Sequence, residues 1–239
     1  MVTENRSSAP DGGDARGAGD PLAALCAVLV GLSYVAVALF LFLEPARKAP
    51  NDAEFLAMIA KDTTPTKIRY GAYAAGAIFA YGLIPALDAR LRAASPSLVR
   101  WMTGLAYLSF GVTAVDNVRL VVLLPKLAAA YAAADPAAQA ILAMEKTMMG
   151  LDPATVLRFG ALGAWIAAVS VVGRRAGAVS RGLSITGVLT AATLGVTVAG
   201  MSLEMKPLIL LGAGLGGFLL LPLWFIWIGL TLKNTVRGA

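Results

Sequence analysis

Six stretches of this chain are apolar over roughly 20 residues, the length a helix needs to cross a hydrocarbon core, with polar punctuation between them. They run over about 21–43, 68–87, 101–124, 154–172, 183–203 and 207–232. Glu44-Pro45 closes the first, Pro85 and Asp88 the second, and Pro125 with Lys126 the third. Asp152-Pro153 reads as the start of the fourth, with proline at the first helical position. The pattern predicts an all-α polytopic membrane protein, a six-transmembrane helix bundle with short amphipathic helices in its outer loops. One such helix is expected over Asp52–Ile59. In the alanine-rich segment 126–150, too polar to cross, Leu127, Ala130, Tyr131 and Ala134 recur at helical spacing, as do Ile141, Met144 and Met148. Two short helices over one mouth of the bundle are expected there. Residues 1–20 are polar and rich in Gly, Ser and Asp, which predicts a disordered tail. A short second tail, 233–239, follows the sixth span.

Composition agrees with the pattern. The chain is 58% hydrophobic and 14% charged with mean hydropathy +0.74, against about 25% charged in soluble domains. The lipid bilayer is therefore the expected partner. The net charge of +6 gathers in the connections, where Arg90, Arg92, Arg100, Arg174, Arg175 and Arg181 face the lone Asp88. Basic short loops stay in the cytoplasm. Both termini are then expected inside, with the longer loops outside, in a bacterial cytoplasmic (inner) membrane, a source suggested by the alanine- and glycine-rich composition. No basic patch is interleaved with aromatics, so a nucleic-acid partner is not expected. The chain has no histidine and one cysteine, Cys26, which removes His-ligated metal, His acid/base chemistry and cysteine-pair redox chemistry. No cofactor and no metal are expected.

Against this apolar background a few polar residues stand out. Asp116, Asn117 and Arg119 lie inside the third span. An ionisable group at mid-membrane costs roughly 3 kcal/mol on insertion scales, so it turns inward toward a partner or a wet cavity. Ser109, Thr113, Asp116 and Asn117 share one helix face, and Arg119 follows Asp116 at i,i+3 spacing. Arg158 lies one turn into the fourth span. Glu44, Arg69, Tyr70, Tyr73 and Glu204 fall at the same ends of their helices. These residues predict a water-accessible pocket or charge network centred on Asp116 and balanced by Arg119 or Arg158; a purely structural ion pair fixing helix packing is the other reading.

Thr186, Thr190, Thr193 and Thr197 repeat at four, three and four residues along the fifth span, and Gly200 and Glu204 continue the register. Such stripes serve close helix packing or line a hydrated path. Gly212, Gly214 and Gly217 satisfy G-x-G-x-x-G, but no preceding strand or βαβ unit accompanies them, so they read as packing glycines. Trp224 and Trp227 suit interfacial anchors, with Pro222 as a kink.

The order of spans and the long third loop resemble the DUF4386 family of bacterial membrane proteins. So do Arg158-Phe159-Gly160-Ala161-Leu162-Gly163 followed by a basic turn and Gly182-Leu183, and the ending Pro222-Leu223-Trp224-Phe225-Ile226-Trp227-Ile228-Gly229-Leu230. The resemblance covers roughly residues 21–232 and implies the six-span architecture; it brings no established activity. Three functional classes stay open. They are a bundle binding a lipophilic small molecule or another membrane protein, a small proton-coupled transporter, and an intramembrane enzyme acting on a lipid or isoprenoid through a buried carboxylate.

Overall fold

Asp20 starts the first helix by accepting the N–H of Ala23 at 2.9 Å, which leaves Pro21 in the first turn, where its missing donor costs nothing. From there helix α1 runs Pro21–Leu43 and a tight 3-10 turn follows over Pro45–Lys48. The computed structural model describes residues 20–152 and 155–234; of the expected tails over 1–20 and 233–239, Asp20 caps the first helix and Lys233 and Asn234 end the last, while the rest, and Pro153 at the expected start of the fourth span, lie outside the described residues. Asn51 caps α2 (Asp52–Lys61), which confirms the expected short amphipathic helix and extends it by two residues. Next come α3 (Thr64–Leu91), α4 (Pro96–Ala133) and α5 (Pro136–Met148). A π-helical segment, Val156–Gly160, leads into α6 (Ala161–Arg175), and α7 is Arg181–Ser202. The last span is composite: α8 (Lys206–Leu211), a second π segment (Gly212–Leu220) and α9 (Leu221–Asn234). No strand occurs among the described residues.

Six of these rods are long and apolar enough to cross a membrane, and the chain is an all-α polytopic membrane protein. The spans close into a ring: α1 packs on α3, α3 on α4, α4 on α6, α6 on α7, α7 on α8 and the second π segment, and α9 returns to α1. Leu32, Ile78, Val115, Ile185 and Leu210 point out of the ring and are exposed. In water such a surface would drive aggregation; toward acyl chains it is solvated.

The middle of the ring is plugged by aromatic side chains from four spans. Trp165 meets Trp224 at 5.9 Å between ring centroids and Phe110 at 6.1 Å, both edge to face. Phe225 lies 5.1 Å from Trp224 and stacks on Tyr34 at 6.2 Å. Each such pair contributes about 0.5–1.5 kcal/mol beyond burial. Trp224 is thus a core residue and not an interfacial anchor. Gly187 of α7 makes room for it, since a Cβ there would fall 2.6 Å from the indole nitrogen. Trp227 is exposed, as an anchor should be, and its ring edge lies over Gly182.

Several expected boundaries shift. Pro85 and Asp88 do not end α3, and α4 passes Pro125 to reach Ala133, so the first of the two expected cap helices is a continuation of the third span. A proline removes one helix donor, and that loss is outweighed where the flanking turns bury apolar surface. Here Leu124, Leu127 and Ala128 are buried against Phe55, Leu56 and Ile59 of α2. In the sixth span the irregularity precedes Pro222 as the second π segment, in which the Leu221 N–H reaches back to the Gly216 carbonyl.

The threonine stripe of α7 serves packing. Thr186, Thr190, Thr193 and Thr197 each donate to the carbonyl four residues back, at 2.7–3.0 Å. Their polar groups are satisfied within the helix, and the second π segment lies directly against Thr193 and Thr197. A Cβ on Gly212 would come within 2.6 Å of the Thr197 backbone nitrogen, and one on Gly216 would strike the Thr193 hydroxyl.

Candidate functional site

Past the aromatic plug, at the end covered by α2 and α5, the ring encloses a cavity of about 430 Å³. Its size lies in the lower part of the range of ligand pockets, roughly 300–1,000 Å³. Asp116 enters from α4 and is 2% exposed; across from it, Arg158 projects from the first π segment and pairs with its Oδ2. The wide turn that carries Arg158 is held at three points. Asp152 accepts the Arg158 backbone N–H at 2.7 Å, and Ser109 donates its hydroxyl to the Arg158 carbonyl at 2.6 Å. The other oxygen of Asp116 accepts the N–H of Leu151 at 3.3 Å, tying the incoming loop to α4.

A second ion pair closes the side formed by α1 and α3. Glu44, just past α1, meets Arg69 Nε at 2.7 Å and accepts the Thr66 hydroxyl. The Arg69 guanidinium also lies over the Tyr70 ring, 4.1 Å from its centroid. Charges this deep are kept only where partners meet them, because an unpaired one costs several kcal/mol. Both carboxylates are so matched.

Three lining groups keep an unmatched atom, the first being Arg158, whose Nε is enclosed without an acceptor among the described residues. Arg69 is 5% exposed, yet its Nη2 has no acceptor among the described residues. Asn117 is fully enclosed; its amide donates to the Thr113 carbonyl at 2.6 Å while its Oδ1 meets no donor. Buried polar atoms left this way cost about 1–3 kcal/mol each and call for a partner.

Tyr34 and Tyr73, edge to face at 5.8 Å, also border the cavity, and Leu120, Leu124, Leu194 and Phe218 give it an apolar wall. Arg47, Lys146 and Gly150 complete the lining on the side of the cap. Lys146 of α5 pairs with Asp52 of α2 and lies 4.6 Å from the centroid of the Phe55 ring, so a single side chain joins the two cap helices. The wall also holds Thr155 in the left-handed region, φ +57°, an uncommon place for a β-branched residue.

The structure brings Asp116, Asn117, Arg158, Arg69, Tyr70 and Tyr73 to one cavity, with Glu44 joined through Arg69. It leaves out two expected members. Arg119 is half-buried, lies outside the lining and makes no ion pair among the described residues. Three residues on a helix turn it about 60° away from Asp116, and Arg158 has taken that carboxylate. Glu204 is exposed at the reversal between α7 and α8, with φ +54°. Its position follows from that turn, which carries the side chain out of the bundle.

Tyr34, Arg47, Lys146 and Asp152 line the cavity without having been expected there from sequence, and Thr197 of the threonine stripe joins them. For Tyr34 a signal existed, as the sole tyrosine of the first span. Arg47 and Asp152 lie between spans and Lys146 in the amphipathic helix α5, where charged residues are ordinary. Among the described residues no group of three or more Cys, Asp or Glu stands ready to hold a metal ion. Comparison with protein-family models, with curated proteins and with solved structures gave no match.

Proposed function

We propose that this protein is a non-enzymatic membrane receptor or carrier that binds an amphiphilic small molecule in the cavity beneath α2 and α5. The observation that carries this reading is the set of enclosed polar atoms without partners among the described residues, Arg69 Nη2, Arg158 Nε and Asn117 Oδ1, at a cavity that Leu120, Leu124, Leu194 and Phe218 also line. A molecule with a polar head and a hydrocarbon body meets both kinds of lining. Lys146 of α5, with Met149 and Gly150 after it, bounds the site on the aqueous side.

The positive-inside pattern supports an outward orientation of this end, with both termini cytoplasmic, and a bacterial inner membrane is proposed as the location. Labelling Gly150→Cys with an impermeant maleimide on intact cells, and Ala176→Cys only after permeabilisation, is the outcome that orientation requires. Membership of the DUF4386 family is part of the same proposal and rests on the layout of the spans and the two segments that carry the resemblance.

Native mass spectrometry of the full chain tests the binding reading. Gly217 lines the cavity and a Cβ on it would meet nothing within 4 Å, so Gly217→Phe fills the space. Retention of an amphiphile by the wild type and its loss in that variant is expected; equal retention would overturn the site.

A proton-coupled permease working through the same cavity is the second reading. It is favoured by the two π segments, Val156–Gly160 and Gly212–Leu220, which both contribute to the lining. Such wide turns recur at functional sites and offer places where a helix changes register. Flux into proteoliposomes that depends on an imposed pH gradient would select it over simple binding.

A further inference from the structure

We infer that the head group this cavity takes is an oxyanion, a carboxylate or a phosphate, carried on an apolar chain and received by Arg69 and Arg158. The inference rests on the binding reading above and adds the chemistry of the ligand.

It follows from which polar atoms are still free. The lining holds four cations, Arg47, Arg69, Lys146 and Arg158, and two carboxylates, Asp116 and Asp152. The carboxylates are occupied by protein donors: Asp116 by the Arg158 guanidinium and the Leu151 N–H, Asp152 by the Arg158 N–H. The cations are not all occupied. Arg69 Nη2 and Arg158 Nε are enclosed without an acceptor, and Arg47 makes no ion pair among the described residues. What this site lacks is therefore chiefly an acceptor. A guanidinium presents planar N–H pairs that match a carboxylate or phosphate in two-point contact, which a neutral acceptor does not repay as well. Asn117 Oδ1 is an enclosed acceptor without a donor among the described residues, fit for a hydroxyl or a water beside the head group.

The volume argues for the chain as well as the head. A water's share of liquid is about 30 Å³, and an inorganic oxyanion, a few times larger, would fill only a small part of the about 430 Å³ enclosed. The remainder is bounded by Leu120, Leu124, Leu194 and Phe218, surface that a hydrocarbon chain covers and a free ion leaves wet.

Titration of the purified full chain in a neutral detergent with cis-parinaric acid, its methyl ester and inorganic phosphate tests this. The acid is expected to bind about tenfold or more tighter than the ester, which lacks the charge and has the same chain. Arg47→Gln, an exposed and unpaired position, and the double variant Glu44→Gln/Arg69→Gln, which removes the buried pair as a unit, are each expected to weaken the acid about fivefold while leaving the ester unchanged. Saturable binding of acid and ester with equal affinity would overturn the oxyanion and spare the binding site. If neither binds in any variant, the binding reading itself falls. Displacement of the acid by inorganic phosphate over the same concentration range would keep the oxyanion chemistry, move its source to the aqueous phase and overturn the chain.

Discussion

Asp116 and Arg158, 42 residues apart in the chain, face each other across the cavity as an ion pair between the third and fourth spans. Each is costly in hydrocarbon alone, and each is the partner that makes the other acceptable. The pair also has a mechanical side, because the Asp116 carboxylate holds the loop ahead of the first π segment through the Leu151 N–H.

Removing one member should therefore cost more than removing both. Arg158→Met is expected to lower stability by about 3–5 kcal/mol, and Asp116→Leu/Arg158→Met to recover a large part of it. Thermal unfolding of the purified variants in detergent reads the coupling. Additive losses would mean that the two charges are solvated independently.

The contact between α7 and the second π segment makes a prediction that separates neighbouring glycines. Gly212→Ala is expected to destabilise by about 1–3 kcal/mol, since its Cβ would press on the backbone nitrogen of Thr197 and the carbonyl of Thr193. Gly214→Ala meets nothing within 4 Å and is expected to be neutral, or to stabilise by up to about 1 kcal/mol through helix propensity. The same unfolding assay compares the two, and equal effects would contradict the packing.

The Lys146 and Asp52 side chains are each about a third exposed or less, and they join α5 to α2. A partly exposed pair contributes little to global stability, about 0–1 kcal/mol, but it can hold the cap in place. Lys146→Ala is expected to leave the unfolding temperature nearly unchanged and to speed thiol labelling of Gly217→Cys, a buried position in the cavity wall, several-fold. Unchanged labelling would show that burial of Phe55, Leu56 and Ile59 alone keeps the cover down.

Asp62, between α2 and α3, accepts the Thr64 N–H at 2.8 Å. That bond, with a second from the Thr64 side chain, holds its carboxyl below the usual carboxylate range. The folded value lies under the unfolded one, so the contribution to the first turn of α3 is complete above the unfolded value and disappears as pH falls through the folded one. The Thr64 amide resonance should follow a titration with a midpoint below that of a free aspartate, and Asp62→Asn should flatten it.

Much of the architecture could be read from the chain, and for a simple reason. A helix in hydrocarbon satisfies its own backbone and exposes only side chains, so length and polarity along the sequence nearly define a span. Pro21–Leu43 was bounded correctly on that ground. The gathering of Asp116, Arg158, Arg69, Tyr70 and Tyr73 at one end was also legible, because alternating span direction converts position along each helix into depth. The capacity of Pro125 to sit within α4 was not, since it depends on α2 burying Leu124, Leu127 and Ala128 from a segment far away in sequence.

Sequence alone determined that this is a bundle of membrane-crossing helices with charges sheltered near one end, because burying a charge or exposing a backbone amide in lipid is too expensive for other arrangements. Only the tertiary structure decided which charges meet. Helical spacing allowed Asp116 to pair with Arg119 or Arg158, and the choice fell to Arg158 because a π-helical turn, pinned by Ser109 and Asp152, swings it toward the centre of the ring. Rotation about a helix axis is set by neighbouring side chains and not by the helix itself, which is also why Trp224 lies in the core and Glu204 outside it.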